Sequence, residues 1–103
     1  MKTAFKMKLK SGYADEYKRR HDNIWPELKA LLKENGISNY AIFLDEETNI
    51  LFAVQDTSEN KTSQNMDNNP VIRRWWAYMA ELMDTNPDDS PVIAPLKEVF
   101  YME

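Results

Sequence analysis

The chain of 103 residues is long enough for one domain with a core of its own, and short enough that a further buried interface would add to its stability. Its 43% apolar and 29% charged residues are ordinary for a globular protein, and a net charge of −4 leaves no concentrated basic surface for nucleic acid. With no cysteine, disulfides and thiol chemistry are excluded and a reducing cytoplasm is expected; the start, M-K-T-A-F-K-M-K-L-K, reads as neither signal peptide nor anchor, and no run approaches the roughly 20 apolar residues of a membrane span.

Along the chain, Phe5, Met7 and Leu9 alternate with Lys6, Lys8 and Lys10, the period-two pattern of a half-buried strand. Ser11 and Gly12 break it. A helical stripe then runs through Tyr13, Tyr17, His21, Ile24, Leu28 and Leu31. Pro26 interrupts that stripe, because it has no N–H for the Asp22 carbonyl and pushes Trp25 out of the helical region. The helix should therefore break at Asn23, Ile24 and Trp25 and restart with Pro26 in the first position. Lys33 and Gly36 supply the stop.

Two strands are expected at 37–44 and 50–55, joined as a hairpin by the polar turn 45–49. Tyr40, Ile42 and Leu44 fall on one face, Ala41 and Phe43 on the other. Apolar residues on both faces mean that both faces are covered, and a chain of this size has helices for one only. The other face is expected to meet a second copy. Residues 59–69 read as a short helix or an ordered loop. Asn69 and Pro70 look like a helix cap and first position, followed by the stripe Ile72, Trp75, Met79, Leu82 with Trp76 and Met83 beside it. Turn formers and three prolines make 84–95 a crossing loop, and 97–102 is expected as the last strand. The order strand, helix, strand, strand, helix, strand implies an α+β fold of the ferredoxin-like split βαββαβ kind: one domain over 1–103 with a four-stranded antiparallel sheet, paired into a dimeric α+β barrel.

The chemistry narrows by elimination. One histidine and no cysteine make a poor metal ligand set. Two glycines form no phosphate-cradling loop, no nucleophile elbow surrounds any serine, and the acidic pairs Glu46-Glu47 and Asp88-Asp89 lie in turns, where they are solvated. His21 remains. On a helix Tyr17 lies one turn before it on the same face, and that face is also the apolar one. Such a histidine is either a core-edge residue bonded to a backbone carbonyl or an acid–base group, since imidazole can move protons both ways near neutral pH. The rings of Trp75 and Trp76, about 100° apart on a helix, are either both core or one core and one cavity wall of the kind that suits a sugar. Tyr40 reads as cross-strand packing.

Taken together, E-Y-K-R-R-H-D-N-I-W-P-E-L, N-Y-A-I-F-L-D, L-F-A-V, R-W-W-A-Y-M, N-P-D-D-S-P and E-V-F-Y-M closely resemble the L-rhamnose mutarotase family, in the same order from Phe5 to Met102. The resemblance implies a cofactor-free homodimeric enzyme interconverting the α and β anomers of L-rhamnose, with His21 as proton donor and Tyr17, Tyr40, Trp75 and Trp76 as sugar contacts. On that reading His21 as imidazolium would protonate the ring oxygen while Tyr17 or a water relays the second proton. Two rivals stand beside it: a small cofactor-independent monooxygenase on the same barrel, by fold analogy alone, and a non-catalytic sugar-binding module. Neither nucleic acid nor membrane is an expected partner.

Overall fold

The computed structural model describes residues 1–58 and 69–103. The strands are β1 (Lys2–Lys8), β2 (Ser38–Asp45), β3 (Ile50–Asp56) and β4 (Ala94–Leu96); the helices are α1 (Ala14–Asp22), α2 (Pro26–Glu34) and α3 (Pro70–Met79), the last running on into a 3₁₀ turn at Ala80–Leu82. The sheet order is β2-β3-β1-β4, antiparallel throughout. This is the split βαββαβ topology. The expectation for 59–69 falls, apart from Asn69, outside the described residues.

The first helical region breaks where Pro26 requires it. Trp25 is extended, with φ −60° and ψ 129°, and Pro26 opens α2. At the other end the Gly36 N–H donates to the Lys33 carbonyl and the Ile37 N–H to the Leu32 carbonyl. This pairing puts Gly36 in the left-handed region at φ 81°. A Cβ there would also overlap the Ser58 side chain, so glycine is required twice over. α3 begins as its sequence indicates, with the Asn69 side chain accepting from the Val71 N–H and Pro70 behind it.

The core lies between the sheet and the helices. Phe5, Met7 and Leu9 from β1 and its extension, with Leu51 and Ala53 from β3, meet Leu28, Leu32, Ile72, Met79 and Leu82. Leu82 and Ala53 are fully enclosed. Each buried leucine is favoured by about 1.5–3 kcal/mol over an exposed one.

Two features depart from expectation. β2 carries a bulge: Ser38 faces Asp56 and Ala41 faces Val54, so Asn39 and Tyr40 together stand opposite Gln55. Asn39 takes up the distortion at φ 47° and its amide donates to Asp56. The last strand, moreover, is Ala94–Leu96 and not 97–102. In the β1–β4 register Ala4 faces Leu96 and Lys6 faces Ala94. Continuing it sets Lys97 against Thr3 and Glu98 against Lys2, where β1 begins. Beyond that point β1 offers the tail no further partner, and Val99, Phe100, Tyr101 and Met102 are exposed.

Candidate active site

Five ring-bearing side chains converge between α1, α3 and β2. Tyr17 and His21, one helical turn apart, stack with centroids 4.3 Å apart. The edge of Trp75 meets His21 at 5.4 Å in a T-shaped contact. Trp76 follows on α3, and Tyr40 faces the group from β2. All five line one cavity of about 730 Å³, within the range of ligand pockets, about 300–1,000 Å³. Met7, Leu28 and Met79 supply apolar wall.

The structure brings together every residue singled out in the sequence. Trp75 and Trp76 are both buried, at 8% and 5% exposure, and both line the cavity. Core packing and wall are thus one role. Tyr40 is half-buried, and it is the residue that follows Asn39 in the bulge, a device that re-aims side chains at sites of this kind.

His21 bonds a backbone carbonyl and also lines the cavity. Its Nδ1 lies 3.0 Å from the Tyr17 carbonyl oxygen. A carbonyl only accepts, so Nδ1 carries the proton and, in the neutral ring, Nε2 holds the free lone pair. Burial pushes the imidazole pKa below its ordinary value; the Tyr17 carbonyl and the charge of Asp22 oppose this without reversing it. A lowered pKa keeps the resting ring neutral around pH 7. Burial also drives the Tyr17 phenol upward, helped by the nearby Tyr40. Tyr17 stays protonated, so its hydroxyl can donate a hydrogen bond.

Sequence reasoning missed the support behind these groups. Trp25 meets Trp75 edge-on at 5.1 Å and stacks on Tyr78 at 5.6 Å. Trp25 precedes a proline and reads as a helix breaker only; its signal was the i, i+3 pair Trp75 and Tyr78 opposite it on α3. Among the described residues no three His, Asp or Glu side chains are grouped to hold a metal ion. No helix among them is long and apolar enough to cross a membrane.

The chain is similar to known proteins along nearly its whole length. A family model for L-rhamnose mutarotase matches residues 2–102. An L-rhamnose mutarotase from Formosa agariphila is 59% identical over 100 residues, covering 97% of this chain and 96% of that protein. Another from Bacteroides thetaiotaomicron is 57% identical, with the same coverage. A crystal structure of an L-rhamnose mutarotase from Formosa agariphila superposes with a TM-score of 0.93 at 55% identity, covering 100% of this chain and 99% of that one. With the family model matching residues 2–102 and these relatives sharing more than half of its residues along nearly the whole chain, this protein belongs to the L-rhamnose mutarotase family.

Proposed function

We propose that the protein interconverts the α and β anomers of L-rhamnose at the cavity of His21, with Tyr17, Tyr40, Trp75 and Trp76 as sugar contacts. The observation that carries the assignment of the site is the His21 ring: tied at Nδ1 to the Tyr17 carbonyl, stacked on Tyr17, and lining the cavity. Ring opening removes the proton from the anomeric hydroxyl, forms the C1 carbonyl, breaks the bond between C1 and the ring oxygen, and leaves that electron pair on the ring oxygen, which takes a proton. Both oxygens are bonded to C1, so one nitrogen can reach each in turn. Neutral Nε2 takes the first proton, and the imidazolium so formed delivers it to the ring oxygen. The aldehyde turns about the C1–C2 bond, and closure runs the same transfers backwards. Nothing is oxidised and no proton is lost. Tyr17, held protonated by its burial, donates a hydrogen bond to the sugar, and the tryptophan faces pack on its C–H surfaces and exclude water.

Saturation-transfer NMR on L-rhamnose compares wild type with His21→Gln. A general acid–base contributes roughly 10²–10⁴-fold, and the variant is expected to lose that much exchange. Equal acceleration by both proteins overturns the assignment of His21, while acceleration by neither favours a binding module.

The working unit we propose is a homodimer in the cytoplasm. The sheet face away from the helices carries Phe43, 66% exposed, beside Phe52 and Val54. The uncovered tail residues Val99, Phe100 and Met102 add apolar surface. A second copy covering that face closes the dimeric α+β barrel, and the absence of cysteine suits a reducing compartment. Sedimentation at micromolar concentration is expected to give a dimer; a monomer overturns this part.

A further inference from the structure

α1 is an unusual support for a reacting group. Of its nine residues only Tyr17 and Arg20 are buried, so the helix carrying His21 has almost no apolar anchor. Arg20 is the one charged side chain that is buried among the described residues, at 9% exposure. A buried guanidinium is costly unless its donors are satisfied. Here they are. Nε donates to Glu16 on the same helix, 2.6 Å away. Nη1 donates to the Tyr78 backbone carbonyl and Nη2 to the Glu81 carboxylate, each at 2.5 Å. The guanidinium carbon also sits 4.3 Å from the centre of the Tyr78 ring, a cation–π contact.

Arg20 thus joins α1 to the end of α3 and to the 3₁₀ turn. His21 is the next residue along the chain, so any roll of α1 carries the imidazole with it. A second route reaches the same ring from behind. Tyr78 stacks on Trp25, Trp25 meets Trp75, and Trp75 meets His21. Both routes end on one imidazole.

We propose that Arg20 is a positioning residue for His21: its forked guanidinium, bonded to Glu16, the Tyr78 carbonyl and Glu81, sets the roll of α1 that turns the imidazole into the cavity. The inference rests on the assignment of His21 made above. Arg20 does not line the cavity and acts only through its neighbour.

The test measures mutarotation against pH for wild type, Arg20→Lys, Arg20→Met and Glu81→Ala. The titratable groups sharing His21's cavity are Asp15, Tyr17, Lys18 and Asp22 from α1, Lys29 and Lys33 from α2, Tyr40 from β2, Glu46 from the turn after it and Asp89 from the loop before β4; all four proteins keep them. Neutral His21 is the working form, and burial lowers its pKa, so wild-type kcat/KM should fall only below pH 6.5. A rolled helix wets the ring and moves that acid limb up toward 6.5. Misplacement of this size costs roughly 10–100-fold in kcat, with KM within about twofold, and lysine, a point charge without the fork, should not rescue it. Glu81 is exposed, its side chain at 66%, so Glu81→Ala keeps the fold if Arg20→Met does not, and should shift rate and limb the same way by a smaller amount. An unmoved limb with wild-type kcat in Arg20→Met or Glu81→Ala, or full activity in Arg20→Lys, overturns the role of Arg20 and leaves His21 standing. A wild type with no acid limb overturns the His21 assignment itself, and this inference with it.

Discussion

The two faces of the sheet carry the same kinds of side chain and use them differently. On the helix side five rings meet in series: Tyr17 on His21, His21 on Trp75, Trp75 on Trp25, Trp25 on Tyr78, with centroids 4.3 to 5.6 Å apart. On the far side Phe43 has 66% of its surface in solvent. The contrast separates two tasks. The helix side of one chain supplies a cavity, an imidazole and its wall, whereas the far side is apolar surface that the proposed dimer would cover. Substitutions on the first should change folding and rate; substitutions on the second should change assembly.

The sharpest way to break that division is to truncate one aromatic on each side. Trp75→Ala empties a buried volume at the cavity wall and is expected to cost about 3–5 kcal/mol in urea unfolding. That is a large share of the 5–15 kcal/mol typical of a domain. Phe43→Asp should leave the helix side folded and instead weaken self-association by roughly tenfold or more in Kd, about 1.4 kcal/mol, read by sedimentation across a dilution series. If Phe43→Asp destabilises as much as Trp75→Ala at concentrations where the chain is monomeric, the two-sided account fails.

A smaller effect comes from pH. His21 has a folded pKa below its unfolded value near 6.5. Above 6.5 both states are neutral and the residue contributes nothing to pH dependence. As pH falls from 6.5 toward the folded pKa, the unfolded chain binds the extra proton and stability drops. His21→Gln should remove that component, seen as a flatter plot of unfolding free energy against pH over this window. The least effect is expected on the solvent side of α1. Lys18 and Asp22 pair at 2.8 Å but are 77% and 60% exposed, so Lys18→Ala should change stability by no more than about 0.3–0.5 kcal/mol in urea unfolding.

What could be read from the chain follows the range of the forces involved. The break before Pro26, the Gly36 stop, the Asn69–Pro70 cap and the hairpin are set by neighbours in sequence, and all are present. The bulge at Asn39 and Tyr40 was not visible, because it exists only against β3. The last strand lies earlier than its sequence suggests, since its end is set by where β1 begins, some 95 residues before it. Arg20 sits in a K-R-R run that looks like a solvated face. Its burial depends on Tyr78 and Glu81, 58 and 61 residues away. The protonation of His21 is likewise a consequence of enclosure: residue spacing put Tyr17 on its face, but desolvation, a property of the whole cavity, decides its charge.

Because His21 is the only histidine in the chain, its ring gives a single, unambiguous set of imidazole signals in a nitrogen-correlated NMR titration with and without L-rhamnose. The account predicts a neutral ring protonated at Nδ1 at pH 7, an apparent pKa below 6.5, and resonances that move when the sugar is added. A ring that titrates at or above 6.5, carries its proton on Nε2, or ignores L-rhamnose contradicts it.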